Sequence, residues 1–260
     1  MKAKEIPVFD MTTISFSGAS TYLKCGKQYF FRYVEGRKDV PGIALIEGSS
    51  HHTALEKNNL HKKVKGKDLK AGVLTDTFVN ELRTRVKAEE RVNWQDENEG
   101  KLIKRAKVWH TDYIRKYAPK INPIMVEEKF EIPVKVEGVE FKLKGVIDLG
   151  LKSKVLDYKT LARAKNQYDT NQDLQLTLYA YAAKKMKVGF IQFLKTANPQ
   201  VGVIESSRTL AQMEWALKVV KEVVLSIRAG AFPMTQPTNW WCSSRFCGYW
   251  KLCRGKYERY

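Results

Sequence analysis

The sequence has few of the features that mark secreted, membrane-spanning or disordered chains. Its 260 residues include only 8 Pro and 4 Cys, and aromatic residues make up 11%. No stretch approaches the roughly 18 to 20 consecutive apolar residues of a membrane span, and the first residues lack the apolar core of a secretory signal. We therefore expect a folded, soluble, cytoplasmic protein that has no membrane partner.

Acidic residues are scarce relative to basic ones. The chain has 28 Asp and Glu against 46 Lys and Arg, which gives a formal net charge of +18 at pH 7. An excess of this size attracts polyanions, and nucleic acid is the commonest polyanion in a cytoplasm. A generically soluble surface is the alternative explanation, so the charge needs support from motifs.

The four cysteines are distributed unevenly. Cys25 stands alone, whereas Cys242, Cys247 and Cys253 lie together near the C-terminus. In a reducing compartment a disulfide framework is not expected, which favours a metal or cluster site. The spacing alone does not distinguish structural Zn²⁺ from an iron-sulfur cluster.

The periodicity of apolar residues divides the chain into three regions of one compact unit. Residues 1–121 are predicted to be mainly helical, residues 122–232 to form a strand-rich core, and residues 233–260 to form a cysteine-bearing tail. Helices are predicted at 21–34, with Ser17 or Ser20 as its cap, and at 43–62, 73–91, 98–118, 169–187 and 210–229. Strands are predicted at 126–134, 141–149, 154–158, 189–194 and 201–204. This order describes an α/β fold with a mixed sheet.

Two neighbouring strands carry candidate catalytic residues. Residues two apart in a strand share a face, so Asp157 and Lys159 project together, and the preceding strand can bring Asp148 beside them. Neighbouring carboxylates repel unless a cation lies between them, and hard oxygen ligands suit Mg²⁺ or Mn²⁺. Such an ion polarises a phosphoryl oxygen and activates water, while Lys159 holds that water or stabilises developing charge. The alternative is an exposed ion pair at a strand edge.

The pattern formed by Gly145, Asp148, Asp157 and Lys159 resembles the core of the PD-(D/E)XK nucleases, specifically the RecB-like exonuclease branch. Residues 48–56 resemble the helical G-x-x-x-H-x-x-L-E motif of that branch, and the resemblance implies that His52, rather than His51, is a metal ligand. Glu127 lies in a segment that resembles the glutamate-bearing strand before the core. The resemblance adds Glu127 to the catalytic set Asp148, Asp157 and Lys159, and it makes His52, Asp148 and Asp157 the metal ligands.

Gln175 and Tyr179 resemble the Q-x-x-x-Y helix that follows the core in this family. Residues at i and i+4 lie on one face of a helix. The resemblance implies that these two side chains position a nucleic-acid strand beside the metal.

Both ends of the chain resemble the cysteine-bearing ends of family members that hold a 4Fe-4S cluster. Such members include the CRISPR-associated adaptation nuclease and the AddB-type subunit of recombinational repair. The resemblance favours a 4Fe-4S cluster over Zn²⁺, bound by Cys25, Cys242, Cys247 and Cys253. The C-terminal spacing C-x4-C-x5-C departs from the C-x2-C that commonly begins the triplet.

The resemblance implies a restriction-endonuclease-like mixed-sheet core with a helical N-terminal region and a C-terminal cysteine tail. It also implies a Mg²⁺- or Mn²⁺-dependent deoxyribonuclease, first of all an exonuclease that acts on single-stranded DNA ends. Recombination or helicase partner proteins and a homo-oligomer are compatible with it. By resemblance alone, a compact chain without helicase motifs suggests a phage or mobile-element enzyme, in the host cytoplasm if it is encoded by a phage. Two alternatives stay open: a nuclease that processes CRISPR spacer precursors, and a cluster-stabilised DNA-binding module without catalysis. The set His52, Asp148, Asp157 and Lys159 argues against the module, because binding alone does not require these four residue types together.

Several other histidines and aromatic residues have simpler interpretations. His51, His61 and His110 are expected to be surface or packing residues. The aromatic residues of the tail are expected to shield the cluster, with stacking on unpaired bases as the alternative; they are Trp240, Trp241, Tyr249 and Trp250.

Overall fold

A computed structural model describes residues 11–257 of the chain. The helices in that range are α1 (Phe16–Lys24), α2 (Gly26–Tyr29), α3 (Ile43–Lys65), α4 (Ala71–Lys87), α5 (Glu99–Lys116), α6 (Gln167–Asn171), α7 (Leu174–Ala183) and α8 (Leu210–Arg228). The strands are β1 (Thr13–Ser15), β2 (Met125–Val136), β3 (Val139–Gly150), β4 (Lys154–Leu161), β5 (Lys187–Leu194) and β6 (Gln200–Ser207). A π-helix at Phe30–Val34 continues α2, and short 3₁₀ turns occur at Ala118–Lys120, Trp250–Leu252 and Arg254–Lys256. None of the helices between residues 11 and 257 has both the length and the apolarity needed to cross a membrane.

The strands form one six-stranded mixed sheet. Its hydrogen-bonded order is β1-β3-β4-β5-β6, and β2 also pairs with β3. Strand β4 runs parallel to β5 and antiparallel to β3, and β6 runs antiparallel to β5. The predicted α/β class with a mixed sheet is confirmed, together with the helical N-terminal region and the C-terminal tail that carries cysteines.

The chain divides into two compact units. Of the described residues, the first contains 11–40, Glu131–Gly145 and 215–257, and the second contains Pro41–Phe130 and Val146–Glu214. Both β2 and β3 contribute residues to each unit. All four cysteines belong to the first unit, and all candidate catalytic residues belong to the second. The predicted three-region division of the sequence remains a prediction, and its residues 1–10 and 258–260 lie outside the described range.

In the second unit, strand β4 lies between two apolar clusters because successive side chains of a strand point to opposite faces. Leu156 and Tyr158 pack with buried residues of α3, α4 and α5, including Trp109. Val155 packs with residues of α7, including Leu176. Burying a large apolar side chain contributes about 1.5–3 kcal/mol, so these clusters hold β4 firmly between its neighbours.

The first helix starts earlier than its apolar spacing predicts. Ser15, rather than Ser17 or Ser20, caps it, and the Ser15 hydroxyl accepts a hydrogen bond from the Gly18 amide at 3.1 Å. The predicted helix is also interrupted at Cys25, whose backbone is extended. Strand β1 was not predicted at all, because a three-residue strand is too short to show a period of two.

The helix predicted at 169–187 is two helices. The break comes at Asp173, whose side chain accepts a hydrogen bond from the Leu176 amide at 3.0 Å and so caps α7. Lys184 ends α7 in the left-handed conformation, with φ of 53°. Capping by a short carboxylate side chain outweighs the helical spacing of the apolar residues on either side.

Candidate active site

Asp157 lies in the middle of β4, with hydrogen-bonded strands on both sides. Its side chain is 1% exposed, and its backbone pairs with Phe190 of β5. Lys159 Nζ lies 2.8 Å from Asp157 Oδ2. Burial raises the pKa of the Asp157 carboxyl, and the positive charge of Lys159 opposes that rise. An exposed ion pair at a strand edge is therefore not what the structure contains.

Asp148 lies on β3, beside the middle of β4. Its Oδ2 accepts a hydrogen bond from the backbone amide of Tyr158 at 2.9 Å. Burial, together with the negative charge of Asp157, raises the pKa of Asp148 to about 7. The fold therefore holds two carboxylates close enough to repel each other in a buried place, which is the electrostatic condition that a bound cation relieves.

His52 reaches the same place from α3. Its Nε2 lies 2.9 Å from the carbonyl oxygen of Tyr158, and because a carbonyl only accepts, Nε2–H is the donor. Its Nδ1 lies 3.5 Å from Asp148 Oδ2 and 3.8 Å from Glu127 Oε1. Burial lowers the pKa of His52, but the neighbouring carboxylates of Glu127 and Asp148 outweigh burial and raise it to about 9. The imidazolium thus supplies positive charge to the carboxylates.

Glu127 completes this group from β2. Ligand atoms of His52, Glu127 and Asp148 all lie within 4.8 Å of one another, so the three side chains are placed to hold a metal ion. The backbone of Glu127 has φ of 46°, a left-handed conformation inside a strand. Such a conformation costs about 1–3 kcal/mol for a residue other than glycine, and strain of this kind is concentrated at functional sites.

Lys159 is tied to α7 as well as to Asp157. Its ammonium donates to Gln175 Oε1 at 2.8 Å, and Gln175 Nε2 donates to the Tyr179 hydroxyl, also at 2.8 Å. Burial lowers the pKa of Lys159, but the charge of Asp157 and the hydrogen bond to it raise it above the usual value. Of the two residues predicted to position DNA, Gln175 therefore bonds to the candidate catalytic lysine and Tyr179 bonds to Gln175.

A cleft of about 500 Å³ opens onto this group in the second unit. Its lining includes His52, Glu127 and Lys159, and it also includes Arg85 of α4, which the motifs did not single out. The sequence also does not predict the hydrogen bond from His52 to the Tyr158 carbonyl, because a backbone carbonyl has no sequence signature. The sequence gives only a weak indication that Arg85 belongs to the site. Arg85 follows Glu81 at the i,i+4 spacing that is typical of a solvated helix face.

The four cysteines of the first unit line one largely apolar cavity of about 290 Å³. All four are free thiols in the structure. Burial raises the pKa of Cys247 and Cys253, and the charges of nearby cysteines add to the rise. Trp241 also lines the cavity, and its buried indole N–H has no hydrogen-bonding partner among residues 11–257. Tyr249 and Trp250 line the same cavity, whereas the side chain of Trp240 is 66% exposed.

Two of the remaining histidines form a buried pair. His51 Nδ1 lies 3.0 Å from His110 Nε2, and Thr75 Oγ1 lies 3.0 Å from His110 Nδ1. Burial lowers the pKa of His110 to about 3, and burial with the neighbouring His110 holds the pKa of His51 well below its usual value. Both rings are therefore neutral packing residues, while His61 is half-buried on α3.

Comparison with known proteins relates most of the chain to one family. The family model of the PD-(D/E)XK nuclease superfamily matches residues 13–254. No curated protein matches the sequence. Among solved structures, the chain is similar to a protein named SSO0001, with 13% identity, a TM-score of 0.46, and coverage of 95% of this chain and 88% of that one. It is also similar to a protein from Eubacterium rectale named a "putative exonuclease", with 16% identity, a TM-score of 0.49, and coverage of 93% of this chain and 92% of that one.

Proposed function

The chain belongs to the PD-(D/E)XK nuclease superfamily, and on that premise we propose that it is a Mg²⁺- or Mn²⁺-dependent deoxyribonuclease of the RecB-like branch that degrades single-stranded DNA from an end. One observation carries the proposal. Ligand atoms of His52, Glu127 and Asp148 lie within 4.8 Å of one another, beside the buried pair of Asp157 and Lys159. Mutually repelling carboxylates without a cation destabilise a fold, so their presence at one place favours a metal-dependent role.

The donor set fits a hard divalent cation. Apart from the Lys159 ammonium, neither buried oxygen of Asp157 has a hydrogen-bonding partner among residues 11–257. Asp148, Glu127 and Asp157 offer oxygen ligands, and the hydrogen bond from His52 Nε2 to a carbonyl leaves Nδ1 as the donor atom once its proton is released. A bound Mg²⁺ or Mn²⁺ supplies Lewis-acid polarisation of a phosphoryl oxygen and a lowered pKa for water.

Lys159 has the properties of a charge stabiliser rather than a base. Its raised pKa keeps the ammonium protonated at neutral pH, so it donates hydrogen bonds and does not accept a proton. Asp157 and Gln175 restrict its position from two sides. We assign Lys159 to orienting the attacking water or to stabilising the negative charge that develops on the phosphate.

The substrate assignment depends on charge. A net charge of +18 favours a polyanion, and a metal-binding group at a cleft favours a phosphodiester as the bond that is cleaved. We propose DNA ends as substrate, with recombination or helicase proteins as partners and a phage as the source of the chain.

For the cysteines we propose a 4Fe-4S cluster that stabilises the first unit. Four thiols around one apolar cavity fit the ligand count, and the unpartnered indole N–H of Trp241 fits a site that receives anionic sulfur. A bound cluster supplies metal–sulfur bonds that cross-link Cys25 to the C-terminal triplet. Metal analysis of protein purified without oxygen tests this assignment, because about four irons per chain indicate a cubane and a single zinc indicates a structural zinc site.

End-labelled single- and double-stranded DNA incubated with Mg²⁺ or Mn²⁺ tests the nuclease proposal. A directional ladder from the single strand is the expected result. Internal cuts would favour an endonuclease of the kind that trims spacer precursors. Tight binding with no cleavage in either ion would contradict the proposal and favour the DNA-binding module.

A further inference from the structure

We propose that Arg85 of α4 binds a DNA phosphate adjacent to the one that is cleaved, an inference that rests on the proposed function. Arg85 lines the same cleft as His52 and Glu127. Glu56 and Glu127 also line this cleft, so a phosphate that enters it requires positive charge on its walls. Within the described lining, Arg85 and Lys159 are the two permanently cationic side chains.

Lys159 is held by two partners at 2.8 Å, whereas the contacts of Arg85 are longer. The Lys159 ammonium lies 2.8 Å from Asp157 and donates to Gln175 at 2.8 Å. The Arg85 guanidinium makes a long contact of 3.4 Å to Thr53 Oγ1 and lies 3.3 Å from the carboxylate of Glu81. The atom that faces Glu81 is the buried Nε, and this ion pair is not a hydrogen bond, so Nε has charge compensation but no hydrogen-bonding partner within residues 11–257.

Other arginines of the second unit show what a structural role looks like in this fold. Arg105 donates to Glu47 at 2.7 and 2.9 Å and to Glu97 at 3.1 Å. Arg83, two residues from Arg85 on α4, contacts Glu99 at 2.7 and 2.8 Å. Both guanidiniums are satisfied by carboxylates at 2.7–3.1 Å, whereas the contacts of Arg85, the arginine of the cleft lining, are 3.3 and 3.4 Å and leave its planar fork available to a phosphate.

The rest of the cleft suits a nucleotide. The hydroxyl-bearing residues Ser49 and Thr160 line it, and hydroxyls commonly donate to phosphate oxygens in protein–DNA contacts. Leu45 also lines the cleft and is 61% exposed, which offers an apolar surface to a sugar or a base. One cleft thus contains metal ligands, a guanidinium and an apolar edge. A bound single strand with successive phosphates requires groups of these kinds along its path.

Methylphosphonate interference tests the contact, because it removes the charge of one phosphate at a time. Affinity for a single-stranded oligonucleotide is measured with Ca²⁺ in place of Mg²⁺, using a series that carries one neutral methylphosphonate at each position. For the wild-type protein we expect one position beside the scissile bond to weaken binding by about 10-fold or more, as for a charged hydrogen bond. Arg85→Gln should weaken binding of the unmodified strand similarly and show no further loss at that position.

Arg83→Gln is the matched control, because it removes the same charge from the same helix outside the cleft lining. It should keep the wild-type interference pattern. Arg85→Lys should recover part of the affinity, since it restores the charge without the planar fork. In cleavage assays Arg85→Gln should raise KM while the Mn²⁺ concentration that gives half-maximal activity stays unchanged.

Wild-type affinity for Arg85→Gln, with interference still at the same position, would overturn this inference and leave the nuclease proposal standing. A wild-type protein that neither binds nor cleaves the unmodified strand would overturn the proposed function and this inference with it. Thermal melting of both glutamine variants identifies a folding defect. If Arg85→Gln has one, Arg85→Lys is the test of the inference. Affinity and KM equal to those of the wild type in Arg85→Lys would then contradict the assignment of Arg85 to a phosphate.

Discussion

The side-chain amide of Gln175 accepts a hydrogen bond from the Lys159 ammonium, with 2.8 Å between Oε1 and Nζ. Gln175, to which the family resemblance assigns a DNA-positioning role, thus bonds to the candidate catalytic lysine. Gln175 also donates to the Tyr179 hydroxyl, which fixes the orientation of the amide. We infer that α7 positions Lys159 in the active site.

Replacing Gln175 by Leu should lower kcat and leave KM nearly unchanged. The loss removes a hydrogen bond to a charged group, so we expect about a 10- to 100-fold decrease in kcat. Tyr179→Phe should have a smaller effect, since it removes only the support of the amide. Steady-state kinetics on an end-labelled strand distinguishes the positioning of Lys159 from a direct DNA contact. A rise in KM at unchanged kcat would favour the DNA contact and contradict this prediction.

His51 and His52 are neighbours in the sequence, and we expect their alanine variants to fail in different ways. His52→Ala should reduce cleavage more in Mg²⁺ than in Mn²⁺, because Mn²⁺ binds more tightly to a site that has lost one ligand. His51→Ala should lower the melting temperature instead, since removing a buried ring leaves a cavity that costs about 2–5 kcal/mol. Metal titrations of activity, run beside thermal melts, check both. A His51→Ala variant with normal stability and a weakened metal response would contradict the assignment.

The buried pair of His51 and His110 predicts a loss of stability in acid. The pKa of His110 is about 3 in the folded protein against 6.5 for an unperturbed histidine, so between these values the unfolded chain binds more protons. Stability therefore falls as the pH drops below about 6.5, by about 1.4 kcal/mol for this residue at pH 5.5. Denaturant unfolding at pH 7.5 and 5.5 measures the difference. His110→Gln should show a smaller pH dependence, and an equal one would contradict the prediction.

Cys25→Ala should destabilise the first unit if the four cysteines share a bound group. Ligand binding and folding are coupled in such sites, so the loss of one thiolate lowers the melting temperature. We expect the variant to lose the brown colour of an iron-sulfur protein and to retain a divalent-ion requirement in any remaining activity. Visible absorption and iron analysis of anaerobically purified protein check this outcome. An equally coloured Cys25→Ala protein would remove Cys25 from the ligand set.

The sequence predicted that Asp157 and Lys159 lie together in the site, because alternation in a strand determines which side chains share a face. Asp157 and Lys159 are two residues apart, and the structure places them in contact. The strained backbone of Glu127 could not be predicted, because a left-handed residue inside a strand leaves no periodic signal. The cap of the first helix was predicted wrongly, as Ser17 or Ser20, because the three residues of β1 that end at Ser15 are too few to show a strand period. These residues pair with β3, from Thr13 with Lys142 to Ser15 with Lys144, and that tertiary contact cannot be read from local spacing.

The most direct test of a metal-dependent cleavage site is digestion of end-labelled single-stranded DNA by the wild-type protein and by Asp157→Asn, each with Mg²⁺, with Mn²⁺ and with EDTA. The asparagine keeps the size of the side chain and removes the charge that a cation requires. We expect a directional ladder from the wild type in either ion, none in EDTA, and none from Asp157→Asn, although that variant still binds the strand through its basic surface. Wild-type digestion by Asp157→Asn, or digestion that persists in EDTA, would contradict the account.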